Sequence, residues 1–302
     1  MNGGRHINDG ELEAIYTLYD ALQLADNSYY DNWVANVGNS LVDKYIVRRA
    51  GIEFVLDSLT NTFRVASLEL SQLPDRNDLV LPDVFDKFEF LESFTLHVPS
   101  TASISLPVAL FDCPLKQLTI VSDSITAIKG SIPPNYGNLA PTIEYLKFEG
   151  TTLGNDLLKP LPNFTKLKEC HLRKNNLTGK TPFFSNYREC YYYFDGNEFT
   201  EFDWKYMETY QDFETTVYNK PIMFPRLVNN NISGPLPSYI NDDFFATFYE
   251  KKDVYRPGYF FYDVFRYNPI YKEYKEAETK GYAPFNITIE WGNECLEETE
   301  NG

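Results

Sequence analysis

The chain of 302 residues is poor in the side chains that build most catalytic and metal sites. It contains three histidines and four cysteines. The cysteines, at positions 113, 170, 190 and 295, lack the C-x-x-C spacing of zinc and redox motifs. The motifs G-x-S-x-G, H-E-x-x-H and G-x-G-x-x-G and the phosphate-binding P-loop are also missing. We therefore expect no cofactor, no metal ion and no enzymatic activity.

Basic residues are scarce too, with 27 Lys and Arg against 43 Asp and Glu and a net charge of −16. This balance argues against nucleic acid as a partner, because phosphate neutralisation needs clustered Lys and Arg. No apolar run approaches the ~18 residues of a membrane span. Residues 1–5 lack the apolar segment of a signal peptide. The composition therefore predicts an acidic protein without a transmembrane segment.

What the chain has in quantity is repetition. Between Val65 and Pro237 it restarts seven times a pattern of an apolar residue, two variable residues, an apolar residue, one variable residue and an apolar residue. The copy that starts at Leu167 continues through Asn175 and Leu177, matching L-x-x-L-x-L-x-x-N-x-L, the pattern of a leucine-rich repeat. The copies start at Val65, Leu91, Leu115, Ile143, Leu167, Glu189 and Ile222. Only the last interval exceeds the usual spacing of roughly 20–29 residues.

Each copy predicts one short strand whose first, fourth and sixth side chains point inward. Leu118, Leu146, Cys170 and Leu172 should therefore be buried, with Cys170 as a thiol in the core. We predict an α/β fold, a curved leucine-rich-repeat solenoid over residues 65–240 with its parallel β-sheet on the concave face. Strands are expected near residues 66–70, 92–96, 116–120, 144–148, 168–172, 191–194 and 223–227.

The flanking regions predict caps. In residues 1–64, Leu12, Ile15, Tyr19 and Leu22 mark one face of an amphipathic helix that begins near Asp9. The repeat pattern fades after Pro237, and residues 239–274 contain 14 aromatic side chains. We interpret residues 241–302 as an aromatic-rich C-terminal cap, with a ligand platform as the alternative.

The asparagine of the repeat is unevenly distributed. It is present at Asn175, Asn197 and Asn230, whereas earlier copies hold Leu73, Pro99, Asp123 and Thr151 at this position. An asparagine ladder satisfies backbone groups inside the solenoid, so the first half must satisfy them by other means. The oxygen-rich segment Asp195–Asp203 also offers a weaker hypothesis of a calcium loop.

Two further stretches carry a family resemblance. The chain has Asp31-Asn32-Trp33 and then Arg64-Val65-Ala66-Ser67-Leu68-Glu69-Leu70-Ser71 ahead of the repeats. These segments and the L-T-G and S-G-P-L-P turns resemble extracellular leucine-rich-repeat proteins of the plant-receptor type and their bacterial surface relatives. The paired cysteines of the plant cap are missing, which favours the bacterial relatives. The resemblance implies a secreted or surface-anchored protein that binds a protein or a glycan.

The candidate site follows from the side chains that alternate outward on the predicted strands. The first three copies present Ser67, Ser93, Gln117 and similar polar residues, whereas the last four present four aromatic residues with Lys, His and Arg. Aromatic residues and Arg dominate binding energy at interfaces. We predict a ligand-binding face formed by Tyr145, Lys147, His171, Tyr191, Tyr193, Phe224 and Arg226. Two alternatives remain open: these rings are ordinary surface residues of a Tyr-rich chain, or the protein is an adhesive solenoid whose aromatic C-terminal region makes the contact.

Overall fold

The computed structural model describes residues 5–34, 49–124, 127–184, 190–205, 225–234 and 265–270. In these ranges the chain forms one α-helix, α1 (Asp9–Ala21), and twelve strands. The strands are β1 (His6–Ile7), β2 (Ile52–Asp57), β3 (Thr62–Leu70), β4 (Ser93–Val98), β5 (Ile104–Ser105), β6 (Gln117–Ser122), β7 (Ile128–Lys129), β8 (Tyr145–Glu149), β9 (Glu169–His171), β10 (Thr178–Lys180), β11 (Tyr191–Tyr193) and β12 (Glu198–Glu201). Short 3₁₀ helices cover Leu24–Asp26, Ser28–Tyr30, Phe85–Lys87, Ala109–Asp112, Pro134–Leu139, Gly154–Leu158 and Leu161–Asn163.

One sheet of eight strands organises the described chain. Its order is β1-β3-β4-β6-β8-β9-β11, and β2 adds to β3. All pairs along this order are parallel, and a parallel bridge from Tyr193 to Arg226 extends the ladder to the next repeat. The predicted parallel strands, one per repeat, are confirmed as far as this bridge. The antiparallel pairing of β2 with β3 was not predicted, and β3 itself crosses the predicted boundary between residues 64 and 65.

The core lies on one side of this sheet, where the inward positions of successive repeats stack. Leu118, Leu146, Cys170 and Leu172 have no exposed surface, as the alternation predicts. Burial of a large aliphatic side chain stabilises the fold by about 1.5–3 kcal/mol, so each repeat gains stability only when a neighbour covers it. Cys170 is a free thiol in this core.

The N-terminal helix is fixed at its start and along one face. The side chain of Asn8 accepts hydrogen bonds from the N–H groups of Gly10 and Glu11, which satisfies free donors of the first turn. The fully buried Glu11 carboxylate lies 3.1 Å from Nε of Arg64 and accepts a hydrogen bond of 2.8 Å from the N–H of Val65. The helix therefore packs beside β3 through a buried ion pair as well as through Leu12, Ile15, Tyr19 and Leu22, the predicted apolar face.

The predicted asparagine ladder is present. Asn197 donates from Nδ2 to the carbonyl groups of Leu172 at 2.7 Å and Phe194 at 2.8 Å. Its Oδ1 accepts from the N–H groups of Asn175 at 2.8 Å and Leu177 at 3.2 Å. Asn175 and Asn230 donate to the carbonyls of their own preceding repeats in the same way. Each side chain thus links two repeats through buried backbone groups.

The ladder continues beyond the predicted end of the repeats. Asn268 donates to the carbonyls of Leu227 at 2.8 Å and Phe265 at 3.1 Å, and it accepts from the N–H of Ile232 at 3.0 Å. Residues 265–270 are therefore a further repeat turn of the form F-x-x-N-x-I, so the expectation that the repeat fades after Pro237 is corrected. The large interval of 38 residues after Asn230 concealed this copy in the sequence.

A left-handed residue precedes every ladder position from the fourth repeat onward. Such conformations favour Gly and Asn because other side chains are strained there. The N–H of this residue donates to a backbone carbonyl of the next repeat in four consecutive pairs. The residues, with their φ angles, are Gly150 (73°), Lys174 (55°), Gly196 (68°), Asn229 (56°) and Tyr267 (63°). The repeated geometry confirms that residues 265–270 belong to the same series.

In the first half, other polar groups replace the asparagines. The hydroxyl of Tyr30 accepts from the N–H of Gln72 at 3.1 Å. The hydroxyl of Ser122 donates to the carbonyl of Ser124 at 2.6 Å, and that of Thr151 donates to Oδ1 of Asn175 at 2.6 Å. Hydroxyl groups thus form hydrogen bonds at or beside three of the four positions that lack an asparagine, which are Leu73, Asp123 and Thr151.

Candidate binding face

The candidate site lies on the side of the large sheet opposite the core, which we call the outer face. The strand register places Lys147, His171 and Tyr193 opposite one another on β8, β9 and β11. The bridge from Tyr193 to Arg226 continues this row. Tyr145 and Tyr191 both pair with Glu169, two positions earlier along the strands. The structure thus brings six of the seven predicted residues onto one surface, while Phe224 lies outside the described residues.

Three rings on this surface contact one another, and we call Tyr145, His171 and Tyr193 the aromatic row. The His171 and Tyr193 rings stack at 4.3 Å with an angle of 6° between their planes. Tyr145 packs against His171 at 5.5 Å with a tilt of 43°. Much of the flat surface of these three rings is therefore in contact with a neighbouring ring. Tyr191, outside this group, has 45% of its surface exposed and is the most exposed ring of the site.

The imidazole of His171 is held by a carboxylate on its own strand. Nε2 of His171 lies 2.7 Å from Oε1 of Glu169. Burial lowers the pKa of His171 below its ordinary value of 6.5, and this effect outweighs the opposing hydrogen bond from Glu169. Near neutral pH the ring is therefore uncharged and donates its Nε2–H to Glu169. Glu169 alternates outward with His171 on the same strand, but it is not among the residues that the sequence predicts for the site.

A second polar cluster lies at the carboxyl end of these strands. Oδ2 of Asp195 lies 3.3 Å from Nε of Arg173 and 3.2 Å from Nε of Arg226. Oδ1 of the same carboxylate accepts from the N–H of Val228 at 3.0 Å. The guanidinium of Arg173 also lies over the Tyr193 ring, 5.2 Å from its centre. Asp195 therefore connects three repeats and joins the aromatic row to Arg226.

Burial and charge act in opposite directions on this carboxylate. Burial raises the pKa of Asp195 above its ordinary value, while Arg226 and Arg173 act to lower it. The desolvation of a mostly enclosed carboxylate thus outweighs two nearby guanidinium groups. The cluster depends on both arginines, because the loss of either leaves a buried charge less well compensated.

The sequence contained a signal for these missed residues. Glu149, Arg173, Asp195 and Arg266 each stand two positions before the ladder residue of their repeat. This position lies just past the predicted strands. There the alternation of a strand no longer predicts which way a side chain points, so the predicted site lacks these residues. Glu149 pairs with the predicted Lys147 at 3.0 Å. Reading this position along the stack would have identified the charged edge of the site.

The structure gives the residues of the hypothetical calcium loop other partners. Asp195 pairs with two arginines, and Asn197 is committed to the ladder. Across the described residues there is no group of three or more His, Cys, Asp or Glu side chains suited to hold a metal ion. None of the helices among these residues is long and apolar enough to cross a membrane.

No protein-family model and no curated protein matches the sequence. Among solved structures, the chain is similar to the leucine-rich-repeat ectodomain of the receptor kinase SOBIR1 from Arabidopsis thaliana, with 19% identity and a TM-score of 0.39 over 59% of this chain and 86% of that chain. It is also similar to a plant ice-binding protein, with 14% identity and a TM-score of 0.36 over 87% of this chain and 95% of that chain.

A third similar structure is the leucine-rich-repeat ectodomain of the Arabidopsis receptor kinase HAESA in complex with an N-terminally extended IDA peptide hormone. It shows 16% identity and a TM-score of 0.29 over 64% of this chain, which spans 47% of the HAESA chain. Such low values carry no functional argument. The parallel register and the asparagine ladder of this chain themselves show a solenoid of the leucine-rich-repeat type.

Proposed function

We propose that the chain is a non-enzymatic recognition protein that binds a protein or glycan ligand through the concave outer face of its solenoid. The observation that carries this proposal is the continuous surface formed by the aromatic row, Tyr191 and Arg226. Exposed aromatic side chains and Arg are the residue types that contribute most to binding energy. In keeping with the sequence resemblance, the proposal includes a secreted or cell-surface location and an origin among bacterial surface proteins.

The two halves of the outer face differ in what they offer a ligand. Over β3, β4 and β6 the outward side chains are small or polar, such as Ser67, Ser93 and Thr119. Over β8, β9 and β11 the surface carries rings and cations, several of which are already fixed by neighbours. Fixed side chains lose less conformational entropy on binding, so the second half is the better binding surface.

We interpret the N-terminal end of the sheet as a cap of the solenoid. There β2 pairs with β3 in the antiparallel sense, and α1 packs beside β3 through the ion pair of Glu11 with Arg64. The alternative is an adhesive solenoid with its contact in the aromatic C-terminal region, most of which lies outside the described residues. Of its rings, Phe265 is buried and packs on Phe202 at 5.1 Å, whereas Tyr267 has 55% of its surface exposed.

A binding screen with matched variants tests the proposal. We expect a glycan array or a pull-down of surface proteins to yield a ligand whose affinity falls at least about fivefold on Tyr193→Ala, equivalent to ~1 kcal/mol. Ser93→Ala, on the polar half of the same face, should leave the affinity unchanged. Equal binding by wild type and the Tyr193 variant would move the site away from the aromatic row.

A further inference from the structure

Two arginines on the outer face share one carboxylate and retain hydrogen-bonding capacity. Arg173 and Arg226 both approach Oδ2 of Asp195 through Nε, at 3.3 Å and 3.2 Å. Within the described part of the chain, the Nη atoms of both guanidinium groups are without hydrogen bonds, and Nε of Arg173 is buried and forms an ion pair but no hydrogen bond. A guanidinium can bind a carboxylate through two parallel N–H donors. The pair thus presents ready donors at fixed positions.

The exposure of the three side chains follows the same arrangement. Asp195 has 15% of its side-chain surface exposed, compared with 31% for Arg173 and 44% for Arg226. The shared carboxylate is therefore the most enclosed member, and the two guanidinium groups form the accessible part. One carboxylate compensates only one of the two positive charges, so the cluster keeps an excess positive charge beside the aromatic row.

The neighbouring charges do not remove this excess. Lys147 pairs with Glu149 at 3.0 Å. The uncharged His171 leaves the negative charge of Glu169 uncompensated, but Arg266 adds a third positive charge that acts on Asp195. Three arginines therefore face two carboxylates. In a chain with a net charge of −16, a small positive site of this kind suits a single carboxylate. A long polyanion would meet repulsion from the rest of the molecule.

The geometry of the rings favours a polypeptide over a sugar as the carrier of that carboxylate. A sugar ring packs its C–H groups on an open aromatic face, but His171 and Tyr193 stack on each other at 4.3 Å. Arg173 also lies over Tyr193. The aromatic row thus offers ring edges and hydroxyl groups beside guanidinium donors, a combination that fits the polar and aromatic groups of a peptide segment.

We propose that Arg173 and Arg226 form a clamp for a carboxylate of a protein ligand, with Asp195 as the positioning residue that holds both guanidinium groups. This inference rests on the proposed function and assigns the chemistry of its ligand. The carboxylate belongs to an Asp or Glu side chain or to the end of a polypeptide. Tyr193 and Tyr191 contact the residues that flank it.

The test is a selection of random peptides displayed on phage with their C-termini joined to the coat protein, so that side chains supply the carboxylates. Full-length wild-type protein should enrich sequences that contain Asp or Glu. Binding of the selected peptides should fall at least about tenfold on Arg226→Gln, as expected when a charged hydrogen-bonding group is lost. Arg76→Gln is the matched control, because Arg76 is 45% exposed and pairs with Asp78 at 3.0 Å.

Synthetic versions of these peptides complete the test. Replacement of the peptide Glu by Gln should cost as much as Arg226→Gln, and the two changes together should cost no more than either alone. Arg226→Lys retains the positive charge but lacks the two parallel N–H donors, so it should show an intermediate loss of peptide binding. This variant keeps the test usable if the Gln variant is poorly folded. Peptides with a free C-terminus and no acidic side chain would, if bound in the same Arg226-dependent way, assign the carboxylate to the chain end.

Several outcomes separate this inference from the proposed function. Loss of peptide binding on Tyr193→Ala, with none on Arg226→Gln, would retain the outer face as the binding surface and overturn the carboxylate clamp. Binding unaffected by both changes would overturn both proposals. Enrichment of peptides without acidic residues, or binding of acidic glycans but no peptide, would also overturn the clamp.

Discussion

Buried asparagine side chains are the residues on which the link between repeats depends. Asn197 forms hydrogen bonds with four backbone groups of two repeats, and only 6% of its surface is exposed. The backbone N–H and C=O groups in these turns are buried and have no partner in a strand. The asparagine side chain forms the hydrogen bonds that water would otherwise supply to them. Its amide has both a donor and an acceptor end, which an aspartate or a leucine of similar size does not provide.

We expect Asn197→Ala to lower the free energy of unfolding by at least about 3 kcal/mol, because each buried polar group left unpaired costs ~1–3 kcal/mol. Chemical denaturation monitored by circular dichroism measures the change. Asn155→Ala is the control, since Asn155 also bonds backbone groups, those of Thr178, but at an exposed position. Similar losses in both variants would contradict a special role for the ladder.

His171 gives the site a dependence on pH with a defined sign. Its pKa is lowered in the folded protein, so the unfolded chain binds a proton first as the pH falls through about 6.5. The contribution of His171 to stability is therefore present above that pH and decreases below it. We expect wild type to lose more unfolding free energy than His171→Gln between pH 7.5 and 5.5. Parallel pH profiles of the two proteins would refute this assignment.

At the scale of the elements, each strand combines an inner row that stabilises the fold with an outer row available for binding. Leu146 on β8 and Cys170 on β9 are opposite each other and fully buried, while Lys147 and His171 are opposite each other on the outer face. A shift of one residue in register would exchange these rows. The integrity of the proposed binding face therefore depends on the packing of the core behind it.

We expect Leu146→Ala and Leu172→Ala each to cost ~2–5 kcal/mol in unfolding free energy, the usual range for truncation of a large core side chain. Both residues are fully buried. Tyr191→Ala, on the exposed side, should cost far less and serves as the control in the same denaturation series. Losses of equal size at Tyr191 and Leu146 would contradict the observed orientation of the strands.

The same alternation explains which elements the sequence predicted. Inward residues such as Leu118 and Ile120 alternate with a period of two inside each repeat, so strands β4, β6, β8 and β9 followed directly from the pattern. Strand β2 has no partner in the repeat consensus, and the ion pair of Glu11 with Arg64 joins residues 53 positions apart. Asp195 and Arg173 lie past the strands, where side-chain direction depends on the ladder turn. Contacts of these kinds depend on the assembled fold.

At the scale of the whole molecule, stability is distributed between neighbours rather than gathered in one centre. In repeat proteins each unit is stabilised by its own contacts and by the interfaces on its two sides. The turn formed by residues 265–270 supplies such an interface to the preceding repeat through Asn268, Arg266 and Ile270. This turn therefore contributes to the order of the repeat that carries Arg226.

We expect Asn268→Ala to weaken the C-terminal repeats before the N-terminal ones. Native-state hydrogen exchange should show faster exchange at the amides of Ile232 and Asn229, which donate to Asn268 and Arg266, because local opening reports local stability. The amides of β4 and β6 should change little. Uniform acceleration along the chain would show instead that the molecule opens as one cooperative unit.

The ladder also has a consequence for how such a chain diversifies. Asn175, Asn197, Asn230 and Asn268 are separated by 22, 33 and 38 positions, yet their donor contacts to the preceding repeat are all between 2.7 and 3.0 Å. The length of the connecting segment is thus uncoupled from the spacing of the rungs. Insertions between rungs can enlarge one side of the protein during evolution or engineering while the outer face keeps its register. Grafted peptides or reporter domains placed after Gly234, beyond the paired backbone of Ile232 and Ser233, should accordingly be tolerated without loss of the alignment of Tyr193 with Arg226.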